Sequence, residues 1–514
     1  MRLQRNGVLA IVVFLNAGYS LAATQTVKID TGLVQGAIDG NVAVYKGIPF
    51  ASPPVGDLRW KAPQPAKAWK AVIKADKFPS QCSQLGPPLP TMPEEPTSED
   101  CLYLNLWAPV VNHSNAKLPV MVFLYGGGFR QGSASTPLYS SGGLPKSAGV
   151  ILVTVNYRVG PLGFLAHPEL SAESPHHVSG NYALLDAIAA LQWIKRNVSA
   201  FGGNPKRVTI FGQSAGSQLI SLLMISPPAR GLFCAAIAES NANMGPGMPV
   251  LADAEKSGVA FAASLGAKSI GELRKVSAEK ITASKFEVPA GSPGTNHAWP
   301  IVDGYVIPDE TYTLYAKGMQ ADIPLLLGYN EDEGEYFQTP MTVASYAAAI
   351  RDKYGAFADQ ISLLFPARTD EEAARSNSKL WAEGAFGWQM WSWARINAQT
   401  SRRKTFFYFF ASKYGNGHGS ELPYVFQYPF GEPWNDDQKE IGGKIAAYWT
   451  NFARTGDPNG DGLPDWPEFN VKSEPVMYIG QKFEAGTMPE LPVHFLMDTF
   501  MNAKRSAVRS KTFP

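Results

Sequence analysis

The chain has 514 residues, 45% of them hydrophobic, with 45 basic and 44 acidic side chains and a formal net charge of +1. This composition supplies a large core, and the balanced charge disfavours nucleic acid and anionic membranes as partners. Residues 1–22 carry two arginines, the apolar run Val8–Leu15 and then small residues, which is the order of a secretory signal peptide. The run is too short to span a bilayer. We therefore expect a secreted or periplasmic mature chain, residues 23–514, without a membrane span.

The predicted elements change character along the chain. Residues 27–50 contain short strand patterns separated by turn residues and predict an N-terminal antiparallel meander. From residue 118, short apolar runs alternate with helical patterns such as Tyr182–Asn197, which predicts a mostly parallel sheet covered by helices. The predicted strands are Val120–Tyr125, Val150–Val155, Val208–Phe211, Ala235–Ala238, Pro324–Gly328 and Thr405–Phe410. No repeat or long linker interrupts the pattern, so we expect one α/β domain, residues 23–514, with inserted helical subdomains.

The stretch VTIFGQSAGSQ, residues 208–218, places Ser214 between a predicted strand and an apolar helical segment. Gly212 and Gly216 flank the serine with the spacing of a nucleophile elbow, a turn so sharp that a Cβ on either flank would collide with backbone. The pentapeptide alone arises easily by chance in a chain with 48 glycines, but here it has the strand-to-helix context that the elbow requires. We predict that Ser214 is a nucleophile and that the N–H of Ala215 faces the developing oxyanion.

A second glycine turn follows an earlier predicted strand, in VMVFLYGGGFRQGS. Consecutive glycines let the backbone approach a substrate carbonyl closely. We expect the N–H groups of Gly127 and Gly128 to complete the oxyanion hole with that of Ala215.

A serine nucleophile needs a histidine base, and the base needs an acidic partner. His418 lies in a glycine-rich loop after the strand-like run FFYFF, whereas His176 and His177 lie in a polar loop and are interpreted as solvated. The order serine, acid, histidine is that of α/β-hydrolases. The acidic run after the predicted strand at 324–328 offers four candidates, among which the pattern alone does not decide: Glu331, Asp332, Glu333 and Glu335.

Export of the chain would suggest how its three cysteines are used. In an oxidising compartment Cys82 and Cys101 can close a proline-rich loop, which leaves Cys234 as a buried thiol within an apolar run. No cysteine or histidine spacing indicates zinc. Residues 457–468 match the letters of a calcium-binding EF-hand loop, but Pro464 and Pro467 block the exiting helix. We therefore predict no metal site.

Two long motifs resemble the type-B carboxylesterase family, a branch of the α/β-hydrolase superfamily that includes cholinesterases and para-nitrobenzyl esterases. They are FGGNPKRVTIFGQSAG, residues 201–216, and EDCLYLNLWAP, residues 99–109, and the resemblance covers nearly the whole mature chain. It implies an α/β-hydrolase fold and a serine esterase that needs no cofactor. The implied partner is a small-molecule ester, and we expect a monomer or a weak oligomer.

The resemblance also implies roles for particular residues. The family's acid is the glutamate before glycine in the D-E-G triplet, here Glu333, and its base is His418. The family's first disulfide corresponds to Cys82–Cys101. A serine that supports the acid and the base corresponds to Ser240, although Asn241 replaces the usual following glycine.

The residue before the nucleophile separates this chain from many relatives. Cholinesterases carry glutamate there and a tryptophan ten residues before the second cysteine, as a platform for choline. This chain has Gln213 and Thr91 at those positions, so we expect neutral alkyl or aryl esters as substrates. Two alternatives stay open: a non-catalytic adhesion protein of the same fold, which typically lacks a member of the triad, and an amidase or lactonase that uses the same triad.

Overall fold

The computed structural model describes residues 23–84, 95–110, 117–286 and 299–512. The predicted signal peptide, residues 1–22, and Thr91 lie outside the described residues. Within the described ranges, no helix combines the length and the apolar character that crossing a membrane requires.

A large mixed sheet organises the described chain. Its strands, with the short pair β5 and β6 that forms a separate sheet, are β1 (Ala23–Ile29), β2 (Gly32–Asp39), β3 (Val42–Pro49), β4 (Ile73–Lys74), β5 (Gln81–Cys82), β6 (Thr97–Ser98), β7 (Tyr103–Pro109), β8 (Leu118–Leu124), β9 (Ile151–Val155), β10 (Gly203–Gln213), β11 (Ala235–Glu239), β12 (Leu325–Asn330), β13 (Thr405–Ala411), β14 (Pro475–Gly480) and β15 (Glu484–Thr487). The order in the sheet is β1-β2-β3-β7-β9-β8-β10-β11-β12-β13-β14-β15, with β4 beside β2.

The centre of this sheet is parallel and its margins are antiparallel. Each neighbouring pair from β9 through β8, β10, β11, β12 and β13 to β14 runs parallel. Strands β1, β2, β3 and β7 pair antiparallel at one margin and β15 at the other. The predicted meander and the predicted parallel sheet are therefore confirmed. The six predicted strands agree with the observed ones to within a few residues, apart from β10, which begins five residues earlier, at Gly203.

Helices connect the parallel strands and cover the sheet. The helices are α1 (Pro137–Ser140), α2 (Gly143–Ala148), α3 (Gly160–Phe164), α4 (Pro168–Glu173), α5 (Tyr182–Asn197), α6 (Ala215–Ile225), α7 (Leu251–Ser264), α8 (Ile270–Leu273), α9 (Ala278–Ala283), α10 (Thr311–Ala316), α11 (Val343–Tyr354), α12 (Ala358–Leu364), α13 (Asp370–Ala382), α14 (Trp388–Thr400), α15 (Leu422–Phe426), α16 (Asp436–Thr455) and α17 (Leu491–Thr512). Helix α5 has the predicted bounds.

The central strands are buried on both faces, which explains their continuous apolar sequences. All five residues of β9 and of β11 are buried. The aromatic stretch 386–393 belongs mostly to this core, since Trp388, Trp391 and Trp393 of α14 are all buried. A π-helical turn, Glu383–Gly387, precedes that helix.

Cys82 and Cys101 form a disulfide with Cα atoms 4.9 Å apart. Cys82 ends β5, and Cys101 precedes β7, so the bond ties the small β5–β6 sheet to the central one. The prediction that Cys234 is a buried thiol is partly wrong. It is half-buried rather than buried, because it lies in the turn before β11 and its backbone N–H donates to Val208 O.

Candidate active site

Ser214 lies on a strained turn between β10 and α6. Its backbone has φ 58° and ψ −123°, a conformation that non-glycine residues rarely adopt. A Cβ on Gly216 would lie 1.9 Å from Leu124 O, and one on Gly212 would lie 2.6 Å from the same atom. The neighbouring strand β8 therefore leaves no room for a side chain at either glycine. The other arm of the turn also crowds position 212, because a Cβ there would lie 3.0 Å from the backbone carbon of Gly216.

The predicted oxyanion elements converge on this turn. Residues 126–128 follow one residue after the end of β8, and a Cβ on Gly126 would lie 3.0 Å from Ser214 Cβ. Gly127 and Gly128 have φ angles of 113° and 63°, which let the chain double back immediately. Ala215 is the first residue of α6, where N–H groups have no acceptor within the helix. The glycine turn and the start of α6 thus lie on either side of Ser214.

His418 and Glu333 form a close pair at the carboxyl edge of the sheet. His418 Nδ1 lies 2.5 Å from Glu333 Oε2. Glu333 follows β12 and His418 follows β13, and adjacent parallel strands bring their carboxyl ends together. Glu333 Oε1 accepts from Asn330 N at 2.7 Å, so both carboxylate oxygens are engaged.

The other acidic candidates have different neighbours. Glu331 Oε2 accepts from Asn416 Nδ2 at 2.8 Å, and the backbone of Asp332 bridges to Gly417. Glu335 is exposed, and its carboxylate lies against Gly417, where a Cβ would be 2.6 Å from Oε2. Among the four carboxyl groups that the sequence left open, the one in contact with His418 is Glu333.

Gln213 contacts both nitrogens of the same imidazole. Its side-chain Nε2 lies 3.1 Å from His418 Nε2 and 3.4 Å from His418 Nδ1, and the side chain is buried, with 6% of its surface exposed. No hydrogen bond joins Ser214 Oγ to His418 within the described residues. The sequence singled out Gln213 for its neutral side chain but did not indicate this contact.

An aromatic wall, defined here as Phe337, Trp381 and Phe386, borders His418. The Phe386 ring centroid lies 4.5 Å from that of the imidazole, and the Phe337 centroid lies 5.7 Å from it. Trp381 packs on both phenylalanines. The aromatic-rich sequence at 386–393 was a partial signal for this wall, and Phe386 is the residue of that stretch that reaches the site.

Two further carboxyl groups lie beneath the pair and escaped sequence reasoning. Glu421, three residues after His418, accepts from Asn330 Nδ2 at 2.5 Å, and Glu239 accepts from Trp449 Nε1 at 2.6 Å. Both are completely buried. Burial, together with the nearby Glu333 carboxylate, raises the pKa of Glu421 to about 7. Burial raises the pKa of Glu239 well above its usual range. Both carboxyl groups therefore keep a proton to higher pH than an exposed glutamate does.

Ser240 is buried at the end of β11, and its N–H donates to Gly328 O at 2.9 Å. Within the described residues, no hydrogen bond links its hydroxyl to Glu333 or to His418. The expected supporting contact is thus not formed. Asn241, which replaces the family's glycine, instead binds Ala242 N with its own side chain.

The residues described contain no cluster of three or more His, Cys, Asp or Glu side chains that could hold a metal ion. At the EF-hand-like segment, the Asp457 carboxylate binds Lys404 Nζ at 2.7 Å. Asn459 Oδ1 accepts from Trp466 N at 2.7 Å. These side chains therefore stabilise a surface turn.

A strained serine elbow and a histidine–carboxylate pair on a parallel sheet define the hydrolase class of this molecule. The chain belongs to the carboxylesterase family, whose model, described as "Carboxylesterase family", matches residues 23–496. This confirms the resemblance recognised in the sequence, and the protein is a carboxylic ester hydrolase that acts on small-molecule esters.

Individual relatives support this assignment. The chain is 36% identical over 479 residues to fumonisin B1 esterase of Sphingopyxis macrogoltabida, covering 89% of this chain and 86% of that protein. It is 33% identical to para-nitrobenzyl esterase of Bacillus subtilis (strain 168), covering 91% of this chain and 97% of the relative. A solved structure of a PNB esterase is similar with a TM-score of 0.80 and 32% identity, over 92% of this chain and 99% of that one. The α/β-hydrolase fold is thereby confirmed.

Proposed function

We propose that the protein is a secreted serine esterase that hydrolyses neutral carboxylic esters through an acyl-enzyme on Ser214. Ser214 Oγ attacks the ester carbonyl while His418 Nε2 takes the hydroxyl proton, and Glu333 holds the imidazole through Nδ1. The observation that carries the proposal is the 2.5 Å contact between His418 and Glu333, formed where Gln213, the residue before the nucleophile, touches the same ring.

The remaining steps use the same groups. The N–H groups of Gly127, Gly128 and Ala215 stabilise the tetrahedral oxyanion. His418 then donates its proton to the leaving alcohol, and a water molecule, deprotonated by His418, hydrolyses the acyl-enzyme. In this proposal the chemistry uses the chain's own side chains and backbone, without a cofactor.

The experiment combines substitution with covalent labelling. Ser214→Ala should fold normally and lose several orders of magnitude in ester hydrolysis, because the triad acts as a unit. An organophosphonate should modify one residue of the wild type, and peptide mapping should locate the modification at Ser214. Ser226→Ala is a suitable control, because Ser226 is also buried and its hydroxyl makes no hydrogen bond within the described residues. Modification at another serine, or full activity of Ser214→Ala, would reject the proposal.

Two rival functions give different results in the same assays. A non-catalytic adhesion protein would show neither turnover nor labelling. An amidase or lactonase would label at Ser214 but would hydrolyse an amide or a lactone faster than the ester with the same acyl group.

The preference for neutral esters follows from Gln213, which places no charge beside the nucleophile, and from the lack of tryptophan in the sequence between Cys82 and Cys101. Glu335 instead favours a positively charged substrate, since its carboxylate lies against Gly417, beside His418. We expect Gln213 to dominate because it is buried next to Ser214, whereas Glu335 is exposed and its field is screened by solvent.

The test compares a choline ester with its uncharged isostere, the 3,3-dimethylbutyl ester of the same acid. The wild type should have the higher kcat/KM for the neutral ester. Gln213→Glu should raise the relative value of the choline ester, and Glu335→Gln should lower it only slightly. A wild-type preference of tenfold or more for the choline ester would contradict this part of the proposal.

Secretion rests on the signal-like sequence of residues 1–22 and is compatible with the Cys82–Cys101 disulfide. Expression of the full chain with its N-terminal segment should place the enzyme outside the cytoplasm. Mass spectrometry should find the exported chain cut near residue 22. An uncut chain retained in the cytoplasm would contradict export.

A further inference from the structure

The oxyanion turn, defined here as residues 126–134, begins with three glycines that have no side chains to hold their peptide groups. A glycine backbone has more conformational freedom than that of any other residue. Donors that stabilise a developing oxyanion are effective because their direction is fixed before the reaction. The orientation of the Gly127 and Gly128 N–H groups must therefore be set by neighbouring parts of the protein.

The segment that follows β9 lies along this turn. Strands β8 and β9 are parallel neighbours, so their carboxyl ends share one edge of the sheet. Gly160 N donates to Phe129 O at 2.7 Å, and Asn156 Oδ1 accepts from Ala134 N at 2.9 Å. Phe129 has a φ of 57°, which a non-glycine residue rarely adopts, so surrounding contacts have to hold it. The chain after β9 thus holds the middle and the far end of the oxyanion turn.

The near end of the turn is held by a reciprocal contact between two tyrosines. The Tyr157 hydroxyl donates to Tyr125 O at 2.5 Å. In return, the Tyr125 hydroxyl donates to Tyr157 O at 2.8 Å and accepts from Tyr157 N at 3.3 Å. The two rings are buried and stack with centroids 4.2 Å apart. Burial raises the pKa of both hydroxyl groups above their usual range, so both stay protonated and able to donate.

The carbonyl oxygen that Tyr157 holds lies between the two parts of the site that face the oxyanion. Tyr125 O belongs to the planar peptide unit that joins Tyr125 to Gly126, so its hydrogen bond fixes the first peptide of the turn. The same oxygen borders the serine elbow, since a Cβ on Gly216 would lie 2.8 Å from it. The turn then folds back over the tyrosine ring, where a Cβ on Gly132 would lie 2.2 Å from Tyr125 Cδ2. A displacement of Tyr125 O would therefore move the glycine N–H groups relative to the nucleophile.

We propose that Tyr157 is a positioning residue whose hydroxyl group, by holding Tyr125 O, sets the direction in which the Gly127 and Gly128 N–H groups meet the oxyanion. This inference rests on the proposed oxyanion role of those two amides. Tyr157 acts through Tyr125 and not on the substrate itself. Its removal should therefore weaken binding of the transition state, in which the carbonyl oxygen carries negative charge, and leave the binding of a ligand without a carbonyl unchanged.

The experiment compares an ester with two inhibitors in the full-length enzyme. One inhibitor is a trifluoromethyl ketone with the acyl group of the ester. Ser214 Oγ adds to its carbonyl carbon, the hydroxyl proton passes to His418, and the carbonyl oxygen becomes an anion at the position of the oxyanion. The other inhibitor is the matching secondary alcohol, which the serine cannot attack.

Tyr157→Phe removes the hydroxyl donor and keeps the ring. It should lower kcat/KM for the ester by about tenfold, which is less than the roughly hundred- to thousandfold loss that follows removal of an oxyanion donor itself. The inhibition constant of the ketone should rise by the same factor, because the ketone adduct resembles the transition state. The inhibition constant of the alcohol should change by less than about twofold.

Tyr346→Phe is the matched control. Tyr346 of α11 is also buried, and its hydroxyl also donates to a backbone carbonyl, that of Phe365, at 2.7 Å. This variant should lose stability without changing kcat/KM or the ketone constant. Tyr125→Phe leaves Tyr125 O bound to the Tyr157 hydroxyl and releases only the reciprocal contacts. It should change the same two constants in parallel but by a smaller factor than Tyr157→Phe.

An unchanged kcat/KM in Tyr157→Phe, measured well below its thermal midpoint, would overturn the proposal. So would a fall in kcat/KM without weaker binding of the ketone relative to the alcohol, or an equal fall in Tyr346→Phe, since both results indicate a purely structural role. If Tyr157→Phe does not fold, Tyr125→Phe decides by the same parallel change in ester and ketone constants. A wild type that neither hydrolyses esters nor binds the ketone more tightly than the alcohol would instead reject the proposed function.

Discussion

Two glutamate–histidine neighbourhoods contact the π-helical turn at 383–387, and only one of them has the form of acid–base machinery. In the outer pair, Glu333 and His418 are hydrogen-bonded at 2.5 Å, and the imidazole retains 13% side-chain exposure. In the inner pair, Glu383 and His494 both approach Gly387, where a Cβ would lie 2.4 Å from Glu383 Oε2 and 3.2 Å from His494 Cε1. No hydrogen bond joins these two side chains within the described residues.

The environment of the inner pair keeps both of its groups uncharged near neutral pH. Burial raises the pKa of Glu383 to about 8 and lowers the pKa of His494 to about 3. Both groups are therefore neutral near pH 7, and His494 Nε2 contacts the Tyr329 hydroxyl at 3.2 Å. The comparison teaches that residue type and proximity do not make a general base. A hydrogen bond that fixes the ring and an opening towards substrate are also needed.

The most direct test of the difference between the two pairs is to make the same substitution in both histidines. His418→Gln should lower kcat/KM by roughly three orders of magnitude or more, because the proton acceptor is lost. His494→Gln should leave kcat/KM within about threefold and lower the thermal midpoint, because His494 packs between Tyr329 and Trp391 in the core. Steady-state kinetics and thermal melts of both variants provide the test. A comparable loss of activity in His494→Gln would show that the inner pair takes part in catalysis.

The sequence predicted the local turn around the nucleophile better than it predicted which distant side chains contact each other in the site. Ser214 and its flanking glycines could be recognised because a tight turn beside a strand restricts residue type at each position. The choice of Glu333 over Asp332 could not be made from the pattern, because both follow β12 and only the position of the next strand decides which one meets His418. That choice came from the family resemblance, and the contact itself is consistent with it.

The contacts that sequence reasoning missed all depend on distant segments. The contact of Gln213 with His418 joins residues 205 positions apart, and the contact of the tilted Phe386 ring with the imidazole involves the π-helical turn. Glu421 and Glu239 look like ordinary loop and strand-end residues in the sequence. Their burial results from the convergence of β11, β12 and α16, which no local pattern encodes. The fold class was predictable because strand and helix patterns repeat along the whole chain.

A second test uses the protonation of Glu383 and concerns stability rather than activity. The group's pKa rises from 4.5 to about 8 on folding, so the folded protein binds a proton that the unfolded chain releases. The wild type therefore loses stability as pH rises through this window. Glu383→Gln cannot titrate, so its free energy of unfolding relative to wild type should increase between about pH 5 and pH 8, by an amount on the order of a few kcal/mol.

Urea unfolding at both ends of that window measures the difference. Glu421 and Glu239 also titrate on folding, but they are present in both proteins and cancel. Glu432→Gln, at an exposed position, is the control and should show no such trend. If the stability difference of Glu383→Gln does not grow with pH, the inner carboxyl group is not held neutral, and the contrast between the two pairs weakens.

The smallest expected effect concerns the turn that joins the two neighbourhoods. Phe386 of the π-helical turn packs on His418 with ring centroids 4.5 Å apart and the ring planes tilted by 32°, while the adjacent Gly387 packs against the inner pair. Phe386→Leu keeps an apolar side chain but removes the ring, and an aromatic contact of this kind is worth about 0.5–1.5 kcal/mol. If that contact orients the imidazole, kcat/KM should fall by about two- to tenfold at constant KM. Phe500→Leu removes a buried ring that contacts the rings of Tyr354 and Phe357 instead, and it should reduce stability by a similar amount without changing kcat. Equal losses of kcat in both variants would mean that Phe386 acts only through stability, and the outer pair would then owe its geometry to Glu333 and Gln213 alone.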